Sequence, residues 1–306
     1  MKRLIVMICT VLCCMLLCAA AADEQQIGVV QLKFASNVRT EADAEAAVSF
    51  RGGADQWYGC FGEENGWYLI RNQNGEMGYV SEKRCVFCST VAPGAGEGQP
   101  LDADVNWQAG DIVVFGSYEQ DINEENGPEP IEWIVLEKDE ENGELLLLSL
   151  YALERQHYHT TNSNATWETS GLRRWLNDTF LQTAFTADEQ TAILLAEVTA
   201  DQNYQFKTTS GGATRDQVFL LSMTEAQRCL TAEQLLCIPT AYAIVHNSYS
   251  DPQTSACWWW LRTPGHNRMH TAYVNWRGEI SGKGYGVISN KGAVRPAIRV
   301  NPDLIH

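Results

Sequence analysis

The sequence predicts two folded parts, a small all-β barrel followed by a larger α+β domain. Three observations carry this. Short alternating apolar runs broken by Gly and Asn fill Ile27 to Cys88. A stretch holding Pro93, Gly94, Gly96, Gly98 and Pro100 follows, with few large apolar residues. Beyond it the apolar period changes from two to about 3.6 and back again.

The chain opens with Lys2 and Arg3, an apolar run from Leu4 to Cys18 interrupted by Thr10, and Ala20-Ala21-Ala22. A short basic start, an apolar middle and a small-residue cleavage site make residues 1–22 a secretory signal peptide. A retained membrane anchor is the alternative, because Leu4 to Ala22 is nearly long enough to span a bilayer. Lipidation at Cys18 is disfavoured by the bulk of Leu17. The expected location is therefore extracellular or associated with the cell envelope, with no stable membrane insertion after cleavage.

Removing 22 residues leaves 284, enough for two domains, with 20 basic against 38 acidic side chains. A formal charge of −18 repels polyanions, so no nucleic acid is expected as a partner. Ten tryptophans argue for a packed globular protein. Four cysteines leave with the signal; Cys60, Cys85, Cys88, Cys229, Cys237 and Cys257 remain as candidates for disulfides in an oxidising compartment. The Cys85-x-x-Cys88 spacing lacks the second pair that a structural zinc site needs.

In the first domain, 27–88, Gly66 to Arg71 reads as a strand, Asn72 to Gly75 as a turn and Gly78-Tyr79-Val80 as the returning strand. Asn37-Val38-Arg39, Gly66-Trp67-Tyr68 and Gly78-Tyr79-Val80 stand in the order found in the bacterial SH3-like family, which this stretch resembles. That resemblance implies a small SH3-like barrel with Trp67 and Tyr79 as ligand-contact candidates. The acidic run Glu41 to Glu45 departs from the polar loop usual there and weakens the case for an anionic wall polymer. Residues 89–108 read as a semi-flexible linker.

The second domain, 109–304, begins with apolar strands at Gly110 to Gly116, Ile131 to Leu136 and Leu145 to Leu150. Leu172, Trp175, Leu176 and Phe180 then share a helical face behind a Ser170 cap. Thr186 with Glu189 and Ser222 with Glu225 have capping-box spacing, opening a helix through Ile193, Leu194 and Val198 and a third near Met223. Short strands return at Trp258 to Leu261, Ala272 to Trp276, Gly286 to Ser289 and Val294 to Val300.

Trp167 to Asn177, Trp259-Trp260-Leu261-Arg262-Thr263-Pro264-Gly265 and Val294-Arg295-Pro296-Ala297-Ile298 together resemble the bacterial family called domain of unknown function 6273, over Gly110 to Leu304. The Trp-Leu-Arg-x-Pro and Val-Arg-Pro elements are similar, more distantly, to the C-type-lectin-like group that includes formylglycine-generating enzymes. That implies a C-type-lectin-like fold with Trp175, Asn177, Trp259, Trp260, Arg295 and Pro296 as structural residues. It does not imply formylglycine chemistry, since no cysteine follows Cys257. Glu129-Pro130-Ile131 lacks the Asn of a lectin calcium loop, so no metal and no cofactor are expected.

The densest set of flat rings and polar donors is Trp258, Arg262, His266, His270, Tyr273, Asn275 and Trp276, the ligand-binding candidates of this domain; strand alternation equally gives one tryptophan face to the core, with Arg262 and Arg295 buried against carboxylates or backbone carbonyls. His157-Tyr158-His159 and the His266/His270 pair lack any zinc-protease motif. No nucleophile elbow or Cys/His signature is found, and Glu132, Glu168 and Glu225 are uninformative among so many acids. The expectation is a secreted non-catalytic protein whose partner is a cell-wall polymer, glycan or surface protein. An enzyme acting on glycans or peptides and a structural interaction scaffold are the alternatives.

Overall fold

The computed structural model describes residues 25–199 and 201–305; the segment read as a signal peptide lies outside the described residues. The described chain is mostly β-sheet with short helices, and among the described residues no helix is long and apolar enough to cross a membrane. It divides into two compact units after Cys85.

The seven-stranded N-terminal sheet comprises β1 (Gly28–Leu32), β2 (Ser36–Arg39), β3 (Val48–Gly52), β4 (Trp57–Glu64), β5 (Trp67–Arg71), β6 (Met77–Ser81) and β7 (Cys85–Ser89), whose first residue closes the first unit. Their spatial order is β3-β2-β6-β5-β4-β1-β7. The sheet is open at β3 and β7, so the closed barrel expected from the strand pattern does not form. Alternation still sorts the side chains. Ile70 and Val80 on β5 and β6 enter the core with Val29, Val30 and Val38, while Trp67, Leu69 and Tyr79 share the half-buried opposite face. The three motif tripeptides lie on the neighbouring strands β2, β6 and β5. A Cβ on Gly78 would stand 2.7 Å from the Arg39 carbonyl oxygen, so that close approach requires glycine.

In the second unit the strands are β8 (Gln99–Pro100), β9 (Ile112–Tyr118), β10 (Glu129–Lys138), β11 (Leu145–Ser149), β12 (Glu154–Arg155), β13 (Ala196–Val198), β14 (Thr214–Asp216), β15 (Val218–Phe219), β16 (Trp259–Pro264), β17 (His270–Val274), β18 (Ile280–Gly286), β19 (Ala293–Val294) and β20 (Ala297–Val300). A six-stranded mixed sheet runs β15-β20-β11-β10-β9-β8, and a five-stranded mixed sheet runs β12-β19-β16-β17-β18. A two-stranded ribbon pairs β13 with β14. Residues Ile131 to Leu136 are all buried, the mark of a strand covered on both faces.

The helices are α1 (Gly171–Trp175, continued by a π turn at Leu176–Phe180 and by Leu181–Ala184), α2 (Ala187–Ala192), α3 (Met223–Cys229), α4 (Ala232–Leu235) and α5 (Ala241–Val245). The Ser170 hydroxyl caps α1 by accepting from the Arg173 amide, and both expected capping boxes are closed. Helix α2 is shorter than its period suggests. At Ile193 the backbone turns extended, and Ala196 to Val198 join a strand. Gly286 is the last residue of β18, and Val287 to Ser289 lie past its end rather than within a strand. The expected strand Val294 to Val300 is interrupted at Arg295-Pro296, where proline has no N–H to give a ladder.

The stretch expected as a semi-flexible linker is anchored from Gly96 onward. The buried Glu132 carboxylate accepts from the Gly96 and Gly98 amides at 3.0 Å each, and Leu101 and Trp107 are buried. Burying a carboxylate requires such partners, and two glycine amides provide them.

Candidate binding site

Strand β16 carries the Trp-Trp-Leu-Arg run, and every one of its residues is buried. The Trp259 indole N–H donates to the Leu235 carbonyl at 3.1 Å and that of Trp260 to the Gln156 carbonyl at 2.9 Å. Arg262 donates to the Thr199 and Leu220 carbonyls and forms a two-pronged ion pair with Glu225, whose Oε1 lies 2.9 Å from Nη2. Burial works against the Glu225 carboxylate, but the Arg262 hydrogen bonds and charge hold its pKa below the ordinary value. Arg262, expected as a ligand contact, is thus 3 % exposed and committed to internal partners. Trp258 is 5 % exposed and has been drawn into the core edge.

The next two strands differ. Tyr285 on β18 is 49 % exposed, and its ring lies 4.9 Å from Trp258, tilted 35°. Tyr273 on β17 is half-buried and meets both, 5.4 Å from Trp258 and 5.8 Å from Tyr285, edge-on. Near the β17–β18 turn, Tyr249 and Trp276 pair at 5.4 Å, with the Arg277 guanidinium 5.9 Å from the Trp276 ring. Asn275 builds the turn itself, its Oδ1 accepting from the Arg277 and Glu279 amides. Tyr285 and Tyr249 were missed in the sequence because only the pairing of β17 with β18 and the ring contacts bring them to Tyr273 and Trp276.

At the other end of β17, His266 and His270 have rings 4.2 Å apart. His266 Nδ1 bonds the Lys283 carbonyl at 2.7 Å, and His270 Nδ1 bonds Asn267 Oδ1 at 2.9 Å. Burial, then His266 and Lys283, lower the His270 pKa. These hydrogen bonds give the pair a loop-shaping role.

Of the residues expected to be structural, Trp259, Trp260, Arg295 and Pro296 are buried, and Trp175 and Asn177 are partly buried. Asn177 donates from Nδ2 to the Val218 carbonyl at 2.8 Å and accepts at Oδ1 from the Gln217 amide at 2.9 Å, tying α1 to the β14–β15 segment. Trp175 packs 5.6 Å from Phe180. Arg295, 1 % exposed, donates to the Ser149, Leu150 and Gln234 carbonyls, and Pro296 is buried beside it. Glu168 accepts from the Gly212 amide, so none of the three acids singled out beside apolar residues is free. All six described cysteines are free thiols here.

A second polar region was hidden by the abundance of acids. Oxygens of Glu119, Asp121 and Glu129 lie within 4.8 Å of one another, a donor set suited to a hard cation such as Ca²⁺. Glu119 Oε1 is buried without a hydrogen-bond partner; burial, then Glu129, Asp121 and Glu124, push its pKa up to about 7. Close by in the chain, Tyr118 donates to the buried Glu154 at 3.1 Å. Burial raises the Glu154 pKa and drives the Tyr118 phenol well above its ordinary value. Tyr242 stacks edge-on 4.0 Å from His246 and 5.9 Å from Tyr118. No spacing in sequence joins residues 118, 154 and 242.

The fold and this site define a predominantly β extended module with a buried Trp/Arg strand beneath a partly exposed aromatic face. Residues 142–302, just over half of the chain, match the family described as Domain of unknown function (DUF6273), and the chain belongs to that family. The match begins after β10, although β9 and β10 complete the same sheet, so the folded unit extends N-terminal to the matched residues. No curated protein and no solved structure matches the chain.

Proposed function

We propose that the protein is an exported, non-catalytic binding protein whose second unit contacts a glycan or peptide of the cell wall or cell surface. The observation that carries this is the Tyr273/Tyr285 pair: aromatic rings backed by Trp258, with Tyr285 half open to solvent. Such rings stack on sugar faces or apolar side chains, and backing by a packed indole fixes their orientation at little entropic cost. The second unit is read as C-type-lectin-like on the Trp-Leu-Arg-x-Pro and Val-Arg-Pro elements. The first is read as an SH3-like module on its three tripeptides and the face shared by Trp67 and Tyr79, an added contact surface. The residue 1–22 segment supports export, and the exposed acids Glu41 and Glu45 favour neutral or cationic ligands.

The test is a binding screen of the protein against glycans, peptidoglycan fragments and surface peptides, repeated with Tyr285→Ala. Retention of one class, weakened tenfold or more by the substitution, is the expected result. Binding unchanged in Tyr285→Ala overturns the site. A second reading, an enzyme acting on the same ligands, draws on Glu119, whose pKa near 7 and unpartnered oxygen suit a general acid. Product release from the same library, abolished in Glu119→Gln, would favour it.

A further inference from the structure

Cys237 follows α4, and Cys257 stands two residues before β16. Both are buried, at 1 % and 0 % exposure. The Cys257 amide donates to the Cys237 carbonyl at 2.8 Å, the Cys237 thiol donates to the Ile238 carbonyl at 3.8 Å, and the two thiols are close enough to shift each other's ionisation. That backbone bond sets the two residues side by side, the arrangement from which a disulfide can close. Beside them is Arg295, buried, bonded to three carbonyls and, among the described residues, in no ion pair with a carboxylate. A buried guanidinium without an acid favours a neighbouring anion. Cys237 is that neighbour: burial opposes its ionisation, but Cys257 and Arg295 hold its pKa below the ordinary value, while burial holds Cys257 above it.

We infer that Cys237 and Cys257 form a redox site that closes to a disulfide pinning the segment between α4 and β16. The oxidant is a disulfide donor of the glutathione or thiol–disulfide oxidoreductase class. One of the two cysteines, as its thiolate, attacks one donor sulfur and expels the other as a thiol. The other cysteine, losing its proton, then attacks the sulfur of the first, forming the internal bond and releasing the second donor thiol. Two electrons and two protons pass from the pair to the donor. The enclosed segment holds α5, Tyr242, His246 and Tyr249, so the bond would fix one partner of Trp276 and the loop beside Tyr118. Because both sulfurs are buried, closure belongs to folding, and the closed bond resists reductants in the native state.

The pair rests on the export reading only for its oxidant in the cell, and the experiment separates the two. The purified full chain is unfolded in reductant, refolded with oxidised and reduced glutathione, alkylated, and digested. Trypsin leaves both cysteines in one peptide, since no Lys or Arg lies between Arg228 and Arg262, so chymotryptic cleavage at Tyr242 and Tyr249 is required. The expected result is a Cys237–Cys257 linked peptide and a thermal midpoint roughly 6–12 °C above the reduced form, as closure of a loop of this length predicts. Full alkylation of both cysteines, or linkage of either to Cys229, overturns it. A bridge formed in vitro but free thiols in protein recovered from the producing cells supports the site and counts against export. Mapping needs no variant; Arg295→Lys, which keeps the charge, should still form the bridge.

Discussion

Every residue of β16 is buried, whereas its neighbour β17 and the edge strand β18 leave Tyr273 half-buried and Tyr285 exposed. Both regions are rich in aromatic and polar groups. What separates them is where the polar ends go. The indole N–H groups of Trp259 and Trp260 and the Arg262 guanidinium reach carbonyls or a carboxylate of the chain itself. A large aromatic with its polar end satisfied internally is structural, and one whose ring remains partly wet is available to a ligand.

Substitutions can break or sharpen that contrast, beginning with the largest effect. Trp260→Ala should cost about 3–5 kcal/mol, because it empties a site so tightly filled that a Cβ on Gly292 would collide with the indole nitrogen. Arg262→Ala leaves Glu225 unpaired and should cost about 3 kcal/mol, the lower end for a broken buried pair because the Glu225 side chain is 23 % exposed. Asn177→Ala strips partners from the Gln217 and Val218 amides and the Val218 carbonyl and should cost about 2 kcal/mol. Denaturant midpoints at unchanged slope measure all three. A loss under 1 kcal/mol for Trp260→Ala would mean that β16 is not the core strand described.

The sequence made the strands and helix starts legible and left their tertiary use obscure. Ser170, Thr186 and Ser222 announced helices because caps act within three residues, and the apolar runs of β10 and β11 announced buried strands by length alone. The end of α2 at Ile193 was not legible, since the apolar residues after it fit either period and tertiary pairing decided between them. Arg262 read both as a ligand donor and as a buried arginine held by carboxylates or carbonyls, because a strand sequence does not show that Glu225, 37 residues away, turns back to meet it. The open sheet of the first unit escaped notice for the same reason, as closure depends on edge pairing that no local pattern encodes.

Smaller effects test the two surface regions. Glu119 has a folded pKa raised from 4.5 to about 7, so the folded state holds its proton more tightly. The stability this contributes is fully present below about pH 4.5 and lost as pH rises through about 7. Glu119→Gln, which mimics the protonated form, should therefore unfold at a higher temperature than the parent at pH 8 and at nearly the same temperature at pH 4 to 5. The opposite order, with the gain confined to low pH, would show that Glu119 is ionised across the range. His270, with its lowered pKa, acts with the reverse sign, its contribution being lost as pH falls below its ordinary 6.5.

Tyr285→Ala should have the smallest effect on folding, below about 1 kcal/mol, because half of the ring is already exposed and its loss forfeits only the contacts with Trp258 and Tyr273. Set beside Trp260→Ala, it gives the contrast between β16 and β18 as two numbers from the same melt. A loss of 3 kcal/mol or more would place Tyr285 with the core tryptophans, and a weakened ligand could then be put down to unfolding. A near-neutral melt keeps the two strands distinct. Any ligand lost with Tyr285 is then lost from the surface of β18, because the strand beneath it is intact.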